Sequence, residues 1–161
     1  MAIKVGDRLP EAKFRVMTAE GPGWKTTDEG FKGKKVVLFA VPGAFTPTCH
    51  KNHMPGFVTN ADKIKAKGID AIAVTAVNDI FVLNEWKKAS GAEGKVDVLG
   101  DGNADFAKAI GLDNDSSAGA MGVRSKRYAM VVDDGVVKTL NIEDAPGKAD
   151  ISGAENLLKG L

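Results

Sequence analysis

The chain contains one continuous apolar run of strand length, Lys35 to Val41. A strand with one face in water alternates apolar and polar residues, whereas an unbroken apolar run predicts a strand buried on both faces. Such strands occur where helices cover both sides of a parallel sheet. A second, mostly apolar run spans Ile69 to Ala76. The sequence therefore predicts an α/β fold in which helices connect parallel strands.

Helical spacing predicts what connects these strands. Apolar residues recur after Cys49 at spacings that mark one helix face. They are Met54, Phe57, Val58, Ala61 and Ile64. Pro55 lies inside this pattern and should kink the helix about one turn after Cys49. Asn78 or Asp79 can cap the next helix.

The later part of the chain predicts a change to antiparallel pairing. Val96 to Leu99 is a third short strand, and Asp113 to Ser125 is expected to be irregular because it is rich in small residues. Asp133-Asp134-Gly135 between two apolar runs predicts a hairpin. Ser152-Gly153-Ala154-Glu155 has the pattern of a capping box that opens a last helix. We expect a single domain, residues 1–161, with a central mixed β-sheet flanked by helices.

Composition excludes several classes of function. The formal net charge is +1, so no basic field exists to attract nucleic acid. The longest apolar stretch, Val36 to Phe45, is interrupted by Pro42 and is far shorter than the roughly 18 residues that a membrane span needs. The N-terminus has no apolar segment typical of a signal peptide. The single cysteine cannot form an internal disulfide, so we expect a cytoplasmic protein with a free thiol.

That cysteine ends the run Pro42-Gly43-Ala44-Phe45-Thr46-Pro47-Thr48-Cys49, between a predicted strand and a predicted helix. Unpaired N–H groups and the macrodipole at a helix N-terminus favour the thiolate, which is the reactive form of cysteine. The Thr46 hydroxyl can fold back toward the first helical turn, either to serve a ligand or as a simple N-cap. An inert, buried cysteine is the alternative for Cys49. The local pattern favours a nucleophile for a small polar electrophile.

The same run contains Pro-x-x-x-Thr-x-x-Cys, the peroxiredoxin signature. Together with His53-Met54-Pro55-Gly56-Phe57 and Gly122-Val123-Arg124-Ser125-Lys126-Arg127-Tyr128, it resembles the type II, one-cysteine peroxiredoxins. The resemblance covers essentially the whole chain. It implies a thioredoxin-like fold and an enzyme that reduces hydrogen peroxide and alkyl hydroperoxides without a metal or organic cofactor.

The resemblance also implies roles for four residues. Cys49 resembles the peroxidatic cysteine, Thr46 the hydroxyl that holds the peroxide, and Pro42 the proline that shields the site. Arg127 resembles the arginine that completes it. A guanidinium lowers the pKa of a nearby thiol and can donate to both peroxide oxygens. Arg124 is the alternative arginine, and Arg127 is favoured because a strand follows it directly.

Two histidines lie beside the cysteine, His50 one residue and His53 four residues after it. Such spacing can mimic a metal site or a nucleophile–base pair. Without a cluster of carboxylates, however, a zinc site is poorly supported. We assign neither histidine a catalytic role.

No second cysteine is present to resolve an oxidised Cys49. The reductant must then be an external thiol, such as glutathione with glutaredoxin, or a thioredoxin. The resemblance also implies a homodimer. Two alternatives belong to other classes of protein: a thiol-based peroxide sensor, and a binding module whose Cys49 is inert.

Overall fold

The computed structural model describes residues 2–144 and 149–161, and of Cys49 it describes the backbone. Strands and helices alternate over most of this length. The strands are β1 (Lys13–Thr18), β2 (Gly21–Thr26), β3 (Lys35–Ala40), β4 (Ala71–Ala76), β5 (Asp97–Gly100), β6 (Asp113–Asp115), β7 (Val123–Ser125), β8 (Tyr128–Asp133) and β9 (Val136–Ile142). The α-helices are α1 (Thr27–Phe31), α2 (Met54–Thr59), α3 (Ala61–Lys65), α4 (Ile80–Ala89), α5 (Asp105–Ala109) and α6 (Ala154–Lys159).

Seven of these strands form one mixed sheet in the order β2-β1-β5-β4-β3-β8-β9. Strands β3, β4 and β5 are parallel, whereas β8 pairs antiparallel with β3 and β9 antiparallel with β8. The predicted mixed sheet with a parallel first half is confirmed. The expectation of an irregular segment over Asp113 to Ser125 is wrong in part, because β6 and β7 form a small antiparallel pair there. Their short, polar, small-residue sequences hid this pair.

The two outer strands of the large sheet have different neighbours. Strand β2 is one edge and carries Pro22. Strand β9 is the other edge, and the N-terminal segment lies along its start. The N–H of Gly6 donates to the carbonyl of Val137 at 2.8 Å, and the N–H of Val137 donates to the carbonyl of Asp7 at 2.9 Å.

Strand β3 is buried on both faces, as its apolar run predicts. Val37 and Phe39 join the hydrophobic core under α2, α3, α4 and α6. Val36 and Leu38 join a second core on the opposite face, which includes residues of α1 and α5. The alternation of side chains across the strand thus supplies both cores from one central element. No helix in residues 2–144 or 149–161 is long and apolar enough to cross a membrane.

The helix predicted after Cys49 is divided into three parts. A wide π-helical turn covers Cys49–His53, α2 follows with Pro55 in its first turn, and α3 continues after Asn60. A proline in a continuous α-helix clashes with the carbonyl four residues earlier, here that of Lys51. The wider turn ahead of Pro55 relieves this clash. The expected break is therefore confirmed in position, but it takes the form of a π turn.

Strand register brings distant parts of the chain to one edge of the sheet. Ala40, near the end of β3, is paired with Thr75 of β4 and with Tyr128 of β8. Residues that follow β3 and β4 therefore lie beside residues that precede β8. Ligand sites of open α/β sheets form at this carboxyl edge of the parallel strands.

The predicted capping box at Ser152 is wrong. Gly153 is the N-cap residue of α6 and makes no side-chain cap. A Cβ atom at Gly153 would lie 2.7 Å from the carbonyl oxygen of Ala149, so the turn requires glycine. The Ser152 hydroxyl donates instead to Glu143.

Candidate active site

The loop between β3 and the π turn is fixed by its own hydrogen bonds. The Thr46 hydroxyl donates to the carbonyl of Gly43 at 2.7 Å, and the carbonyl of Thr46 accepts from the N–H of His50 at 2.8 Å. A hydroxyl that donates once still has lone pairs to accept a bond. Thr46 is therefore held in a defined position, with the acceptor capacity of its hydroxyl available to a ligand.

A residue outside the predicted site ties this loop to the neighbouring strand. The side-chain oxygen of Asn78, just after β4, accepts from the N–H of Ala44 at 2.9 Å. Asp79 is the N-cap of α4 and accepts from the N–H of Val82. The sequence left either residue as the cap. The structure gives the cap to Asp79 and leaves Asn78 to support the active-site loop.

Arg127 lies beside the π turn that Cys49 begins. It comes directly before β8, and only 3% of it is exposed. Its Nη1 donates to Nδ1 of His53 at 3.1 Å. The structure therefore brings Arg127 next to the last residue of the Cys49–His53 turn, although 127 − 49 = 78 positions separate it from the cysteine.

Arg124 contacts the other side of the same loop. Its Nε donates to the carbonyl of Met121 at 2.8 Å, and its Nη1 donates to the carbonyl of Pro42 at 3.3 Å. A Cβ atom at Gly43 would lie 3.0 Å from this Nη1. Arg124 thus links the β6–β7 segment to the backbone of Pro42, whose side chain is half-buried.

His53 is neutral and has one defined tautomer. Its Nε2 lies 2.9 Å from the carbonyl of Ser152, which can only accept, so Nε2 carries the proton. Nδ1 then accepts from Arg127. Burial lowers the pKa of His53 to about 4, and the charge of Arg127 acts in the same direction, whereas the Ser152 carbonyl and Glu143 oppose it. Both contacts fit the neutral ring.

Glu143 holds Ser152 in place. One oxygen of its carboxylate accepts from the N–H and from the hydroxyl of Ser152, each at 2.6 Å. Burial opposes ionisation of Glu143, but hydrogen bonds from the Ser152 hydroxyl and from the backbone of residues 150–152 outweigh it and keep its pKa below the usual value. Glu143 is therefore a charged, hydrogen-bonded carboxylate.

Comparison with known proteins identifies the family. The Redoxin family profile matches residues 4–158. The protein Peroxiredoxin-2E-2, chloroplastic, of Oryza sativa subsp. japonica is 48% identical over 164 residues, which cover 99% of this chain and 72% of the rice protein. The chain belongs to the peroxiredoxin family.

Two further relatives match this chain over nearly the full length of both proteins. Peroxiredoxin-2C of the same rice is 44% identical over 160 residues, covering 99% of this chain and 98% of that protein. A crystal structure of reduced Prx3 from Vibrio vulnificus in complex with H2O2 is 51% identical, covers 98% of each chain and superposes with a TM-score of 0.93. The fold is thus thioredoxin-like, and the protein is a thiol-dependent peroxidase with a single cysteine, as in type II peroxiredoxins.

His50 joins the π turn of the peroxiredoxin to α4. Its Nδ1 accepts from the indole N–H of Trp86, a fully buried residue, at 3.1 Å. Its ring also lies 5.4 Å from the ring of Phe45, which is exposed and has a φ of 63°. The sequence carries no signal for the link to Trp86, because the two side chains belong to separate helical segments that only the fold brings together.

The side chains that could bind a metal ion are dispersed over the part of this peroxiredoxin that the structure describes. Across the described parts of the chain, no three His, Cys, Asp or Glu side chains are grouped so as to hold an ion. His53 has both ring nitrogens engaged by protein atoms.

Proposed function

We propose that Cys49 is the nucleophile that reduces hydrogen peroxide and alkyl hydroperoxides, with Thr46, Arg127 and Pro42 completing its site. The observation that carries this assignment is the position of Arg127, a buried cation against the turn that Cys49 begins. A positive charge there lowers the pKa of a thiol and increases its thiolate fraction. The Vibrio vulnificus relative was crystallised in complex with H2O2, which supports the choice of substrate.

The proposed step is a displacement at oxygen. The Cys49 thiolate attacks one peroxide oxygen, so that an S–O bond forms as the O–O bond breaks. The leaving oxygen takes the electron pair and a proton and departs as water or an alcohol, while the sulfur is oxidised to a sulfenic acid. Arg127 stabilises the charge that develops on the leaving oxygen, the Thr46 hydroxyl orients the peroxide, and Pro42 shields the sulfenic acid from solvent.

Recycling requires two external thiols. The first condenses with the sulfenic acid, releases water and forms a mixed disulfide on Cys49. A second thiolate attacks that disulfide and restores the Cys49 thiol. We propose glutathione with a glutaredoxin, or a thioredoxin, as the donor. A lone cysteine persists as a free thiol in a reducing compartment, and this is the basis for proposing a cytoplasmic location.

Replacement of the nucleophile tests the central assignment. Cys49→Ser should abolish peroxide consumption while the far-ultraviolet circular dichroism and the unfolding midpoint stay near those of the wild type. Turnover is followed with glutathione plus glutaredoxin and with thioredoxin plus its reductase. Appreciable peroxidase activity in the variant would contradict the role of Cys49. If the wild type completed only one turnover with every donor, the peroxide sensor would be favoured. If the pKa of the Cys49 thiol were at or above roughly 8.5, the inert binding module would be favoured.

The two arginines form a matched pair for the second assignment. Arg127→Lys keeps the charge but loses the rigid fork of donors, so the rate constant with peroxide should fall on the order of 10²-fold or more. Arg124→Lys should cost less, because Arg124 donates to the backbone of the loop. Stopped-flow kinetics of the reduced proteins measures both. Equal losses would remove the basis for assigning the catalytic role to Arg127.

A homodimer is part of the proposal. Phe45 and Val123 are 48% and 38% exposed, and the Phe45 loop is joined to β7, which carries Val123, where Arg124 donates to Pro42. These two exposed apolar side chains near the site are the basis for proposing a two-fold contact there. Sedimentation velocity at micromolar concentration should show a dimer, which Phe45→Glu dissociates. The matched variant Phe81→Glu changes an exposed residue of α4 and should leave the dimer intact.

A further inference from the structure

A closed chain of hydrogen bonds joins Arg127 to the segment before the last helix. The guanidinium donates to Nδ1 of His53, and Nε2 of His53 donates to the carbonyl of Ser152. The N–H and the hydroxyl of Ser152 donate to Glu143. The N–H of Glu143 then donates back to the carbonyl of Arg127 at 3.0 Å. The same ring of contacts therefore holds the side chain and the main chain of Arg127.

Because these residues are buried, breaking any hydrogen bond of this closed chain costs free energy. The exposed fractions are 3% for Arg127, 1% for His53, 0% for Ser152 and 8% for Glu143. Water cannot readily replace a partner in such surroundings, so a broken link leaves a buried polar atom unsatisfied. The rings of Phe39 and Phe57, centred 5.0 and 5.5 Å from that of His53, confine the imidazole further. The ring of contacts has one arrangement that satisfies all its members.

The donor and the acceptor of each hydrogen bond in this closed chain are fixed, because the carbonyls and the carboxylate can only accept. The Ser152 carbonyl requires the proton of His53 to be on Nε2, which leaves a lone pair on Nδ1 for Arg127. If Ser152 moved, the proton could shift to Nδ1, and two donors would then face each other across the contact with Arg127. The position of Ser152, which Glu143 sets, therefore decides what His53 offers to the guanidinium.

We infer that His53, Ser152 and Glu143 are positioning residues for the peroxidase reaction: they fix the orientation of the Arg127 guanidinium toward the Cys49 turn. This inference rests on the proposed function, in which Arg127 serves the chemistry of Cys49. A guanidinium is planar, so its donors reach a peroxide only in the correct rotation. Partners that orient a reactive group in this way commonly act strongly on rate, although they never touch the substrate.

Variants of His53 separate positioning from folding. Asn places an oxygen near the position of Nδ1 and can still accept from Arg127, whereas Leu of similar volume accepts nothing. The rate constant for the reduced protein with H2O2 should fall about 10-fold in His53→Leu, by analogy with the loss of an orienting partner, and His53→Asn should recover most of it. The apparent thiol pKa in the pH profile of this rate should rise in His53→Leu, because the guanidinium is no longer held near the thiolate.

Variants of Glu143 and Ser152 test the hydrogen bonds that lie beyond His53. Glu143→Gln keeps the shape and one acceptor but removes the charge, and should lower the rate in the same direction. Ser152→Ala removes the hydroxyl and keeps the N–H, so it should cause a smaller loss without endangering the fold. Glu155→Gln, an exposed glutamate in the first turn of α6, is the matched control and should react like the wild type.

A double-mutant cycle decides whether these losses pass through Arg127. In an Arg127→Lys background the ammonium has no fork to orient, so Glu143→Gln should cost far less than it does in the wild type. Equal costs in both backgrounds, or His53→Leu reacting like the wild type with an unchanged thiol pKa, would overturn the inference. If Arg127→Lys alone had no effect, the proposed role of Arg127 would fail instead.

Discussion

At the scale of single residues, the Thr46 hydroxyl shows how little freedom the site has. Its donation to the carbonyl of Gly43 fixes the direction of its proton, so the hydroxyl meets a ligand mainly as an acceptor until that bond exchanges. In the proposed reaction, a peroxide O–H would donate to it, and this bond would orient the peroxide for attack. In the proposed function, Thr46 would act through this hydroxyl as well as by holding the loop.

The first prediction follows from this bond. Thr46→Ser keeps the hydroxyl and should retain most of the peroxide reactivity. Thr46→Val keeps the shape, loses the hydroxyl and should lose most of it, on the order of 10²-fold, as for removal of one oriented polar group. Stopped-flow kinetics with H2O2 measures both. If Val behaved like Thr, the hydroxyl would serve only the loop.

The resemblance of the sequence to peroxiredoxins implied one site of Cys49, Thr46, Pro42 and Arg127, and the strand that follows Arg127 favoured it over Arg124. Asn78, Glu143 and Ser152 were missed for a physical reason. Each acts through a long-range hydrogen bond that leaves no periodic pattern, and Ser152 also imitates a capping box. Candidate reactive residues in a local motif could be predicted from the sequence, whereas the residues that support them could be found only in the folded structure.

At the scale of elements, the π turn depends on its contact with α4. The His50 ring accepts from the buried indole of Trp86, and its centre lies 5.4 Å from that of the Phe45 ring. The sequence predicted a break near Pro55 correctly, since proline fits only the first turn of an α-helix, and α2 begins one residue before it. It did not predict what holds the break in place, because the partner lies 36 residues further on.

The second prediction concerns this contact. His50→Ala leaves the buried N–H of Trp86 unsatisfied and should lower the free energy of unfolding by about 1–3 kcal/mol. His50→Asn places an oxygen near the position of Nδ1 and should recover part of this loss. Urea unfolding monitored by tryptophan fluorescence measures both variants. An unchanged stability in His50→Ala would mean that Trp86 finds another partner at no cost.

At the scale of the whole molecule, the buried neutral His53 makes stability depend on pH. Its pKa is lowered from 6.5 to about 4 in the folded protein, mainly by burial. Between these values the unfolded chain binds the extra proton, so stability is present above pH 6.5 and is lost as the pH falls toward about 4. At about 1.4 kcal/mol per pKa unit, the loss from His53 is on the order of 3 kcal/mol.

The third prediction is that wild-type stability falls more steeply across this window than that of His53→Gln, which binds no proton there. Urea unfolding at a series of pH values gives both slopes. Glu143, whose pKa is lowered, contributes stability that begins to be lost only below its unfolded pKa of 4.5, so it does not produce a slope over most of this window. Parallel slopes for the two proteins would show that His53 is not buried in its neutral form.

The fourth prediction follows from the absence of a second cysteine. Without added thiol, excess peroxide should carry Cys49 past the sulfenic acid to sulfinic and then sulfonic acid. With glutathione, the product should be a mixed disulfide on Cys49. Intact-mass spectrometry distinguishes these products, and Cys49→Ser corrects for methionine oxidation. A dominant Cys49–Cys49 disulfide that glutathione does not prevent would reveal a different route of resolution.

The outer strands of the sheet have a consequence for behaviour at high concentration. A bare strand edge is a template for pairing with another molecule and for aggregation. Pro22 interrupts the donors of β2, and the segment around Gly6 and Asp7 already occupies the start of β9 through its bonds with Val137. These N-terminal residues thus cover part of the β9 edge and block its pairing with another molecule. Fusion or trimming that displaces them should expose this strand edge, which lies at the opposite end of β3 from the Cys49 turn, and should lower solubility without changing the reaction with peroxide.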